Sequence, residues 1–302
     1  MDVRQMRYFV CLFEEGNVGR AARRLNIVQP ALSMQLANLE KEFDQRLFER
    51  TPTGLFATNA GRALHELCVP ILREIDHAES RMASLRGKIS GKVVVGLVGS
   101  VARCALATSV LEFAASYPDV NIVVSETYSS DLIEWVSSGQ IELAAINRPR
   151  GHLGLLDEPI LDEELCLIAN ASARVDLPAA VPFDMLARRR MIVPSRQNSL
   201  RTLIDWHAQE RGIDLSAHLE LDSFTSIIEL IKGSDWITIM PATAVSREIR
   251  EGALRAHRII SPILVRRLYW LHHPRRPLSE AATRFKQIMT AHLIAAHGAI
   301  RG

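Results

Sequence analysis

Residues 16–58 read GNVGRAARRLNIVQPALSMQLANLEKEFDQRLFERTPTGLFAT. Pro30 suits a first helical position, and from there Leu32, Leu36, Leu39 and Phe43 return at three- and four-residue steps. That spacing predicts a helix with those four side chains on one inward face. The opposite face carries Pro30, Ser33, Met34, Ala37, Asn38 and Lys41, a narrow surface of mostly small residues that a duplex can approach closely. Before it, Asn17 is a good N-cap after the turn at Gly16. Val18, Ala21, Ala22 and Leu25 form the buried stripe of a short helix, and Arg20, Arg23 and Arg24 point outward. Upstream, Met6, Phe9, Val10 and Phe13 mark a first helix. Downstream, Leu47–Arg50 and Leu55–Thr58 read as strands around the turn Thr51-Pro52-Thr53-Gly54.

Three helices followed by a two-stranded wing make a winged helix-turn-helix, a shape that lays its third helix in a DNA major groove. In that geometry Gln29 can pair bidentately with adenine, and Ser33 can meet a base or a phosphate. Met34 can touch a thymine methyl beside Pro30. Arg20 and Arg23 reach phosphates, and Arg50, with Thr53 at the wing tip, suits a minor groove. Charge adds little, because residues 1–58 carry eight basic and seven acidic side chains. Arginines on an outer helix face are by themselves an ordinary solvated surface. The order of the elements carries the reading.

Residues 59–89 form the connector. Thr58 can cap a helix in which Leu64, Ile71, Ala78 and Leu85 repeat every seven residues, with Leu67 or Cys68, Ile75 and Met82 between them. This heptad seam predicts a partner helix, interrupted by a Pro70 that should bend the helix or remove one backbone bond. Gly87, Ser90 and Gly91 mark a hinge.

Beyond it, strand-like and helix-like runs alternate. Strands are expected at Lys92–Val98, Asn121–Thr127, Ile141–Ile146, Leu165–Ala169, Met191–Pro194, Leu219–Leu221, Trp236–Met240 and Arg267–His272. Helices are expected at Val101–Tyr117, Asp131–Ser138, Leu200–Arg211, Ser226–Lys232 and Ser279–His297, with a pause around Leu161–Glu163. The alternation predicts an α/β sheet covered by helices, in two lobes: 90–161 with 266–302, and 162–265. The crossings fall near Asp162 and Pro262–Arg266. In such sheets ligands sit at the carboxyl ends of strands. The candidates are therefore Gly99, Ser100 and Val101 after the first strand, then Thr127, Tyr128 and Ser129, then Asn147 and Arg148. From the second lobe come Ser195, Gln197 and Asn198, with Phe224 and Thr225. Backbone N–H groups at a helix start favour an anion, so a small polar or anionic metabolite is expected.

Other classes fit less well. No GxSxG, HExxH or GxxxxGK[ST] pattern is present, so the usual hydrolase, metalloprotease and phosphate-cradle signatures are missing. His272 and His273 are adjacent, and neighbours on a strand face opposite ways, a poor chelate. No metal, cofactor or catalytic residue is expected. Net charge is +2, giving no strong field for membranes or polyanions. A transport-type solute-binding protein would need export, and MDVRQMRYF lacks the apolar core of a signal peptide. Cys11, Cys68, Cys104 and Cys166 are scattered, which suits a reducing cytoplasm.

The segment from Met6 to Leu64, with its QPALS core (29–33), LFER run (47–50) and the Thr58, Ala60, Gly61 element, resembles the N-terminus of LysR-type transcriptional regulators. The likeness extends over the whole chain in organisation. The runs GKVVVGLVGSVA (91–102) and ITIMPATA (237–244), with NIVQPALSMQ (26–35), are similar to the nitrogen-assimilation-control branch. The resemblance implies an α/β protein with a winged helix-turn-helix at 1–58, a linker helix at 59–89 that pairs two subunits, and an effector-binding domain at 90–302. That domain is similar to type 2 periplasmic binding proteins. It also implies a dimer or tetramer on promoter DNA, an effector between the lobes, contact with RNA polymerase, no membrane, and a cytoplasmic, nucleoid-associated location. Residues matching Gln29, Pro30 and Ser33 face the groove in the family, and Arg50 matches a wing residue. The chain departs from many relatives at Val28, where they carry Ser, and at Met34, where they carry Arg.

Overall fold

The computed structural model describes residues 1–51, 54–84, 89–149, 151–172, 177–187, 189–215 and 217–301. Two compact units are formed, residues 1–87 with 138–140, and 88–137 with 141–302.

The first unit contains α1 (Val3–Glu15), α2 (Val18–Arg24), α3 (Gln29–Phe43), β1 (Phe48–Thr51), β2 (Gly54–Ala57) and α4 (Asn59–Ser84). Local chemistry sets these limits. Asp2 and Gln5 form a reciprocal capping box on α1, and Gly16, at φ 57°, ends it in the left-handed region. The Asn17 side chain accepts from the Arg20 backbone N–H to start α2. In α3 the first helical residue is Gln29, with Pro30 following, one position later than expected. Leu32, Leu36 and Leu39 join Phe9, Leu12, Ala21, Ala22, Leu47 and Phe48 in one core. Phe43 does not: it is 40% exposed. It is the last residue of α3, and Asp44 at φ 50° turns the chain away before a fourth inward contact can form.

The junction from wing to α4 explains the Thr58–Gly61 element. Thr58 donates its N–H to the Leu47 carbonyl at 3.0 Å. Its hydroxyl donates to the Arg46 carbonyl at 2.6 Å and accepts from the Gly61 N–H at 3.0 Å. A Cβ on Gly61 would stand 2.2 Å from the Leu47 oxygen, so only glycine allows this approach. The heptad seam splits in two. Leu64 and Cys68 are buried in the winged-helix core, whereas Leu67 and Met82 are 65% and 64% exposed, as is Ile71 in part. Leu85 lies outside the described residues.

The second unit begins with β3 (Gly91–Leu97), then α5 (Gly99–Val101) and α6 (Ala107–Ser116) joined by a π turn over Ala102–Leu106. β4 (Val120–Glu126), α7 (Ser129–Ser138), β5 (Leu143–Asn147), β6 (Leu156–Asn170), β7 (Ala180–Pro182), β8 (Met191–Val193), α8 (Ser199–Glu210) and β9 (Ala217–Glu220) follow. The chain ends with α9 (Phe224–Lys232), β10 (Ile237–Pro241), α10 (Ser246–Arg250), β11 (Leu254–Ile260), β12 (Val265–His272) and α11 (Glu280–Arg301). Strands run in the order β4-β3-β5-β12-β6-β10-β8-β9, with β11 beside β6 and β7. β3 is parallel to β4 and β5, while β12 is antiparallel to β5 and β6, so the sheet is mixed.

β6 belongs to both lobes. Its residues up to Glu164 pair with β12, and Leu165–Ile168 pair with β10. The expected pause at Leu161–Glu163 is therefore a correction: those residues lie inside a continuous strand. The apolar pattern breaks there because Glu163 stands directly opposite Arg266, and two buried ionic side chains hide a strand from hydropathy. β7 and β11 were not expected either. In β11 the exposed Arg255 and Arg258 alternate with buried Leu254, His257 and Ile259, and the charges mask its buried face. Separate apolar cores serve the lobes, one around Val95, Phe113, Trp270 and Phe285, another around Phe183, Ile204 and Ile239.

Candidate DNA interface and ligand cleft

The outer face of α3 is open. Gln29, Pro30, Ala37, Asn38 and Lys41 are exposed, Ser33 is half-buried, and Val28 and Met34 are 68% and 57% exposed. At both positions this face presents apolar surface and no charge. The Gln29 amide lies over Gly19, where a Cβ would stand 2.6 Å from Nε2. Glycine at 19 thus leaves room for the glutamine at the groove formed with Gly54 and Leu55 of the wing.

The three arginines of α2 differ. Arg20 pairs with Glu15 at 3.4 Å and donates to the Glu15 carbonyl. Arg24 pairs with Glu14 at 2.7 Å and with Glu15 at 3.2 Å. Arg23 is exposed and forms no ion pair among the described residues. Arg50 stands in β1 opposite Leu55. Thr53 lies outside the described residues.

In the second unit a cavity of about 260 Å³ opens at the carboxyl ends of the strands, lined by residues of both lobes. Gly99, Ser100, Thr127, Tyr128, Ser129, Asn147 and Phe224 line it as the strand-end rule expects, and Asn198 joins them. Val101 does not: it is fully buried in the first lobe's core, because it faces inward one step into the helix. Gln197 and Thr225 are exposed outside the lining. Ser195 lends its backbone N–H to Asp222 at 3.1 Å without lining the cavity. Glu126, Ser199, Leu200 and Asp222 line it unexpectedly. Glu126 ends β4, and Asp222 follows β9 within two residues, so the same rule would have reached both.

Side-chain bonds span the cleft, among them one between the Ser129 and Ser199 hydroxyls at 3.4 Å. The Tyr128 hydroxyl donates to Asp222 at 2.8 Å, and Asn147 Nδ2 donates to Ser199 Oγ at 3.0 Å. Burial alone would raise the Asp222 carboxyl, but donors on Ser195, Tyr128 and Asn198 outweigh it and hold the group below its ordinary value. Beneath the cleft, Arg266 is fully buried. Its Nε and Nη2 donate to Glu163 Oε2 at 2.8 and 2.6 Å. Its Nη1 donates to Ser100 Oγ at 2.5 Å and to Asn147 Oδ1 at 3.3 Å. The other Glu163 oxygen accepts from Thr243 at 2.5 Å. One ion pair thereby orients two cleft residues.

All four cysteines are free thiols. Burial pushes Cys166 up to about 11 and raises Cys11, Cys68 and Cys104 as well, the character of inert thiols. Among the described residues, no group of three or more His, Cys, Asp and Glu side chains could hold a metal ion, and no helix is long and apolar enough to cross a membrane.

Comparison with known proteins agrees with this architecture. The profile of the LysR substrate binding domain matches residues 86–294, and that of the bacterial regulatory helix-turn-helix protein, lysR family, matches residues 3–62. The nitrogen assimilation regulatory protein nac of Klebsiella aerogenes is 28% identical over 246 residues, 81% of this chain and 79% of that protein. The DNA-binding transcriptional dual regulator OxyR of Escherichia coli (strain K12) is 25% identical over 292 residues, 96% and 94% of the two chains. Full-length CbnR, solved in complex with its target DNA, superposes with a TM-score of 0.73 at 21% identity, covering 97% of this chain and 100% of that one.

Fold and surfaces define a winged-helix DNA-binding protein joined to a two-lobed ligand-binding module. The chain belongs to the LysR family: it is a DNA-binding transcriptional regulator with an effector-binding domain, not an enzyme.

Proposed function

We propose that this regulator grips promoter DNA as a homo-oligomer, with α3 of each subunit in a major groove. Gln29, Pro30, Ser33 and Met34 meet base edges, Arg20 and Arg23 meet phosphates, and Arg50 and Thr53 on the wing reach the adjacent groove. The observation that carries the reading is the division of α3 into a buried Leu32, Leu36, Leu39 face and an open polar face. The exposed Leu67, Ile71 and Met82 on α4 support pairing through that helix, which would present two recognition helices to a two-fold site.

A small polar effector occupies the cleft between the lobes, bounded by Gly99, Ser100, Thr127, Tyr128, Ser129, Asn147 and Phe224. The cavity, at about 260 Å³, lies just below the roughly 300–1,000 Å³ of drug-sized sites, so the ligand is a small metabolite. Binding there changes how the lobes meet, and through the subunits the spacing or bend of DNA offered to RNA polymerase. A coupling of roughly 1–3 kcal/mol suffices. Such a protein works in the cytoplasm, on the nucleoid. The test is fluorescence anisotropy with the duplex upstream of the protein's own gene against a scrambled duplex. Preference for the former is expected, and equal affinity at every salt concentration would remove base reading from α3.

A further inference from the structure

The cleft reading above leaves the charge of the effector open, and the side chains around the cavity bear on it. Among the described residues lining it, the charged side chains are Glu126 and Asp222, both acidic. The buried cation behind it, Arg266, is already bonded to Glu163, Ser100 and Asn147. Backbone N–H groups at helix starts would favour an anion, and α5 begins at Gly99 without a side-chain cap, but the longer helices that begin here have their own acceptors. Asn198 caps α8 and Ser223 caps α9, and Asp131 stands in the first turn of α7. The charged side chains facing a ligand are therefore negative.

The two acids are not equivalent. Asp222 accepts from Tyr128, Ser195 and Asn198 and is largely satisfied. Glu126 has no hydrogen-bond or ion-pair partner among the described residues. Its Oε1 would lie 2.6 Å from a Cβ on Gly99, and Phe224 Cε2 would lie 3.2 Å from that same point. The carboxylate and the aromatic ring thus converge over one glycine, on the cavity wall. A bare metal ion would need several oxygen donors around it. An organic cation takes a carboxylate on one side and an aromatic ring on another.

We infer that the cleft takes a ligand bearing an organic cation, an ammonium or guanidinium group, held by Glu126 beside Phe224. The expectation of a polar or anionic metabolite rested on backbone groups, and the charged side chains favour a cationic group on a polar ligand. The inference rests on the cleft being the effector site, and the experiment separates the two. Full-length protein and its Glu126→Gln and Glu126→Lys variants are titrated by calorimetry at low salt with butylammonium, guanidinium, butyrate and succinate. The expected result is tighter binding of a cation than of either anion by tenfold or more. Glu126→Gln should weaken that binding at least tenfold, and Glu126→Lys should transfer the preference to the anions. If butyrate or succinate binds the natural protein better and Glu126→Gln strengthens it, the cleft stands as the site and the cation is wrong. If no probe's affinity responds to either substitution, the cleft itself falls as the site. Circular dichroism of the variants establishes that any loss is not one of folding.

Discussion

The Tyr128 hydroxyl donates to the Asp222 carboxylate at 2.8 Å, tying the loop after β4 in one lobe to the loop after β9 in the other. The carboxylate keeps donors from Ser195 and Asn198 if the phenol oxygen is removed, so it is never left bare. Tyr128→Phe is expected to lower the unfolding free energy of the second unit by no more than about 1.5–3 kcal/mol, the worth of a hydrogen bond to a charged group. Urea denaturation followed by tryptophan fluorescence measures it. An unchanged midpoint would mean that the bond does not hold the lobes together.

His65 stacks on Phe13 with ring centroids 3.9 Å apart. Burial lowers its pKa below the ordinary 6.5, against the opposite pull of Glu14 and Glu66. Because the native state takes up the proton less readily, the unfolded chain binds more protons as pH falls through 6.5. Stability is then intact above that value and declines below it. Thermal melts between about pH 8 and 5, spanning the histidine range, are expected to show an acid-side fall that His65→Phe reduces. A fall of equal size in the variant would assign it to other groups.

Gly61 sits where a Cβ would meet the Leu47 carbonyl at 2.2 Å. Backbone cannot yield there as a side chain could. Gly61→Ala gains roughly 1 kcal/mol of helix propensity, but the overlap is expected to cost about 1–3 kcal/mol or more. Net destabilisation of the winged helix, read by chemical denaturation, is the expected outcome. A stabilised variant would show that α4 shifts freely against the wing.

These positions show what a sequence does and does not disclose. Leu32, Leu36 and Leu39 announce α3 because a periodic apolar face is a local signal, whereas the Thr58–Gly61 element is legible as a helix cap at Thr58 and through the family resemblance. Phe43 misleads, since its spacing continues the face while Asp44 ends the helix. Half of the cleft is legible because strand ends are. Glu126 and Asp222 are hard to read from sequence because an acid at a strand end looks like an ordinary solvated side chain until the fold brings the two lobes together. The Arg266–Glu163 pair joins residues 103 positions apart and leaves only a gap in hydropathy. The repeat in α4 is not one surface: Leu64 and Cys68 answer to the winged-helix core, whereas Leu67, Ile71 and Met82 stay exposed.

Gln29 and Arg23 offer a clean separation of base reading from phosphate contact. Gln29→Ala is expected to cost about 1–3 kcal/mol on the preferred site and little on a random duplex. Arg23, without an ion partner among the described residues, should weaken both alike as Arg23→Ala and reduce the salt slope by about one. Gly19→Ala is expected to imitate Gln29→Ala, because a Cβ there displaces the glutamine amide. Anisotropy titrations at several salt concentrations measure all three. Equal losses on every sequence for Gln29→Ala would assign it to the backbone of the duplex.

Arg266 and Glu163 are each nearly inaccessible, at 2% and 4% side-chain exposure, and they join the strands that pass between the lobes. Removing one member of a buried pair leaves the other charge uncompensated, at a cost of about 3–5 kcal/mol. Arg266→Ala is therefore expected to destabilise the second unit by that amount, and Glu163 would retain the Thr243 hydroxyl and, at 4.0 Å, His297 Nδ1. Arg266→Lys separates charge from shape. A single ammonium keeps the ion pair but cannot present the planar fork that holds Glu163, Ser100 and Asn147 together. It is expected to recover much of the stability lost in Arg266→Ala while leaving Ser100 and Asn147 misplaced at the cleft. Denaturation and cation titration on the same variant read the two effects. Full recovery of both stability and binding would reduce Arg266 to a charge and remove its part in shaping the site.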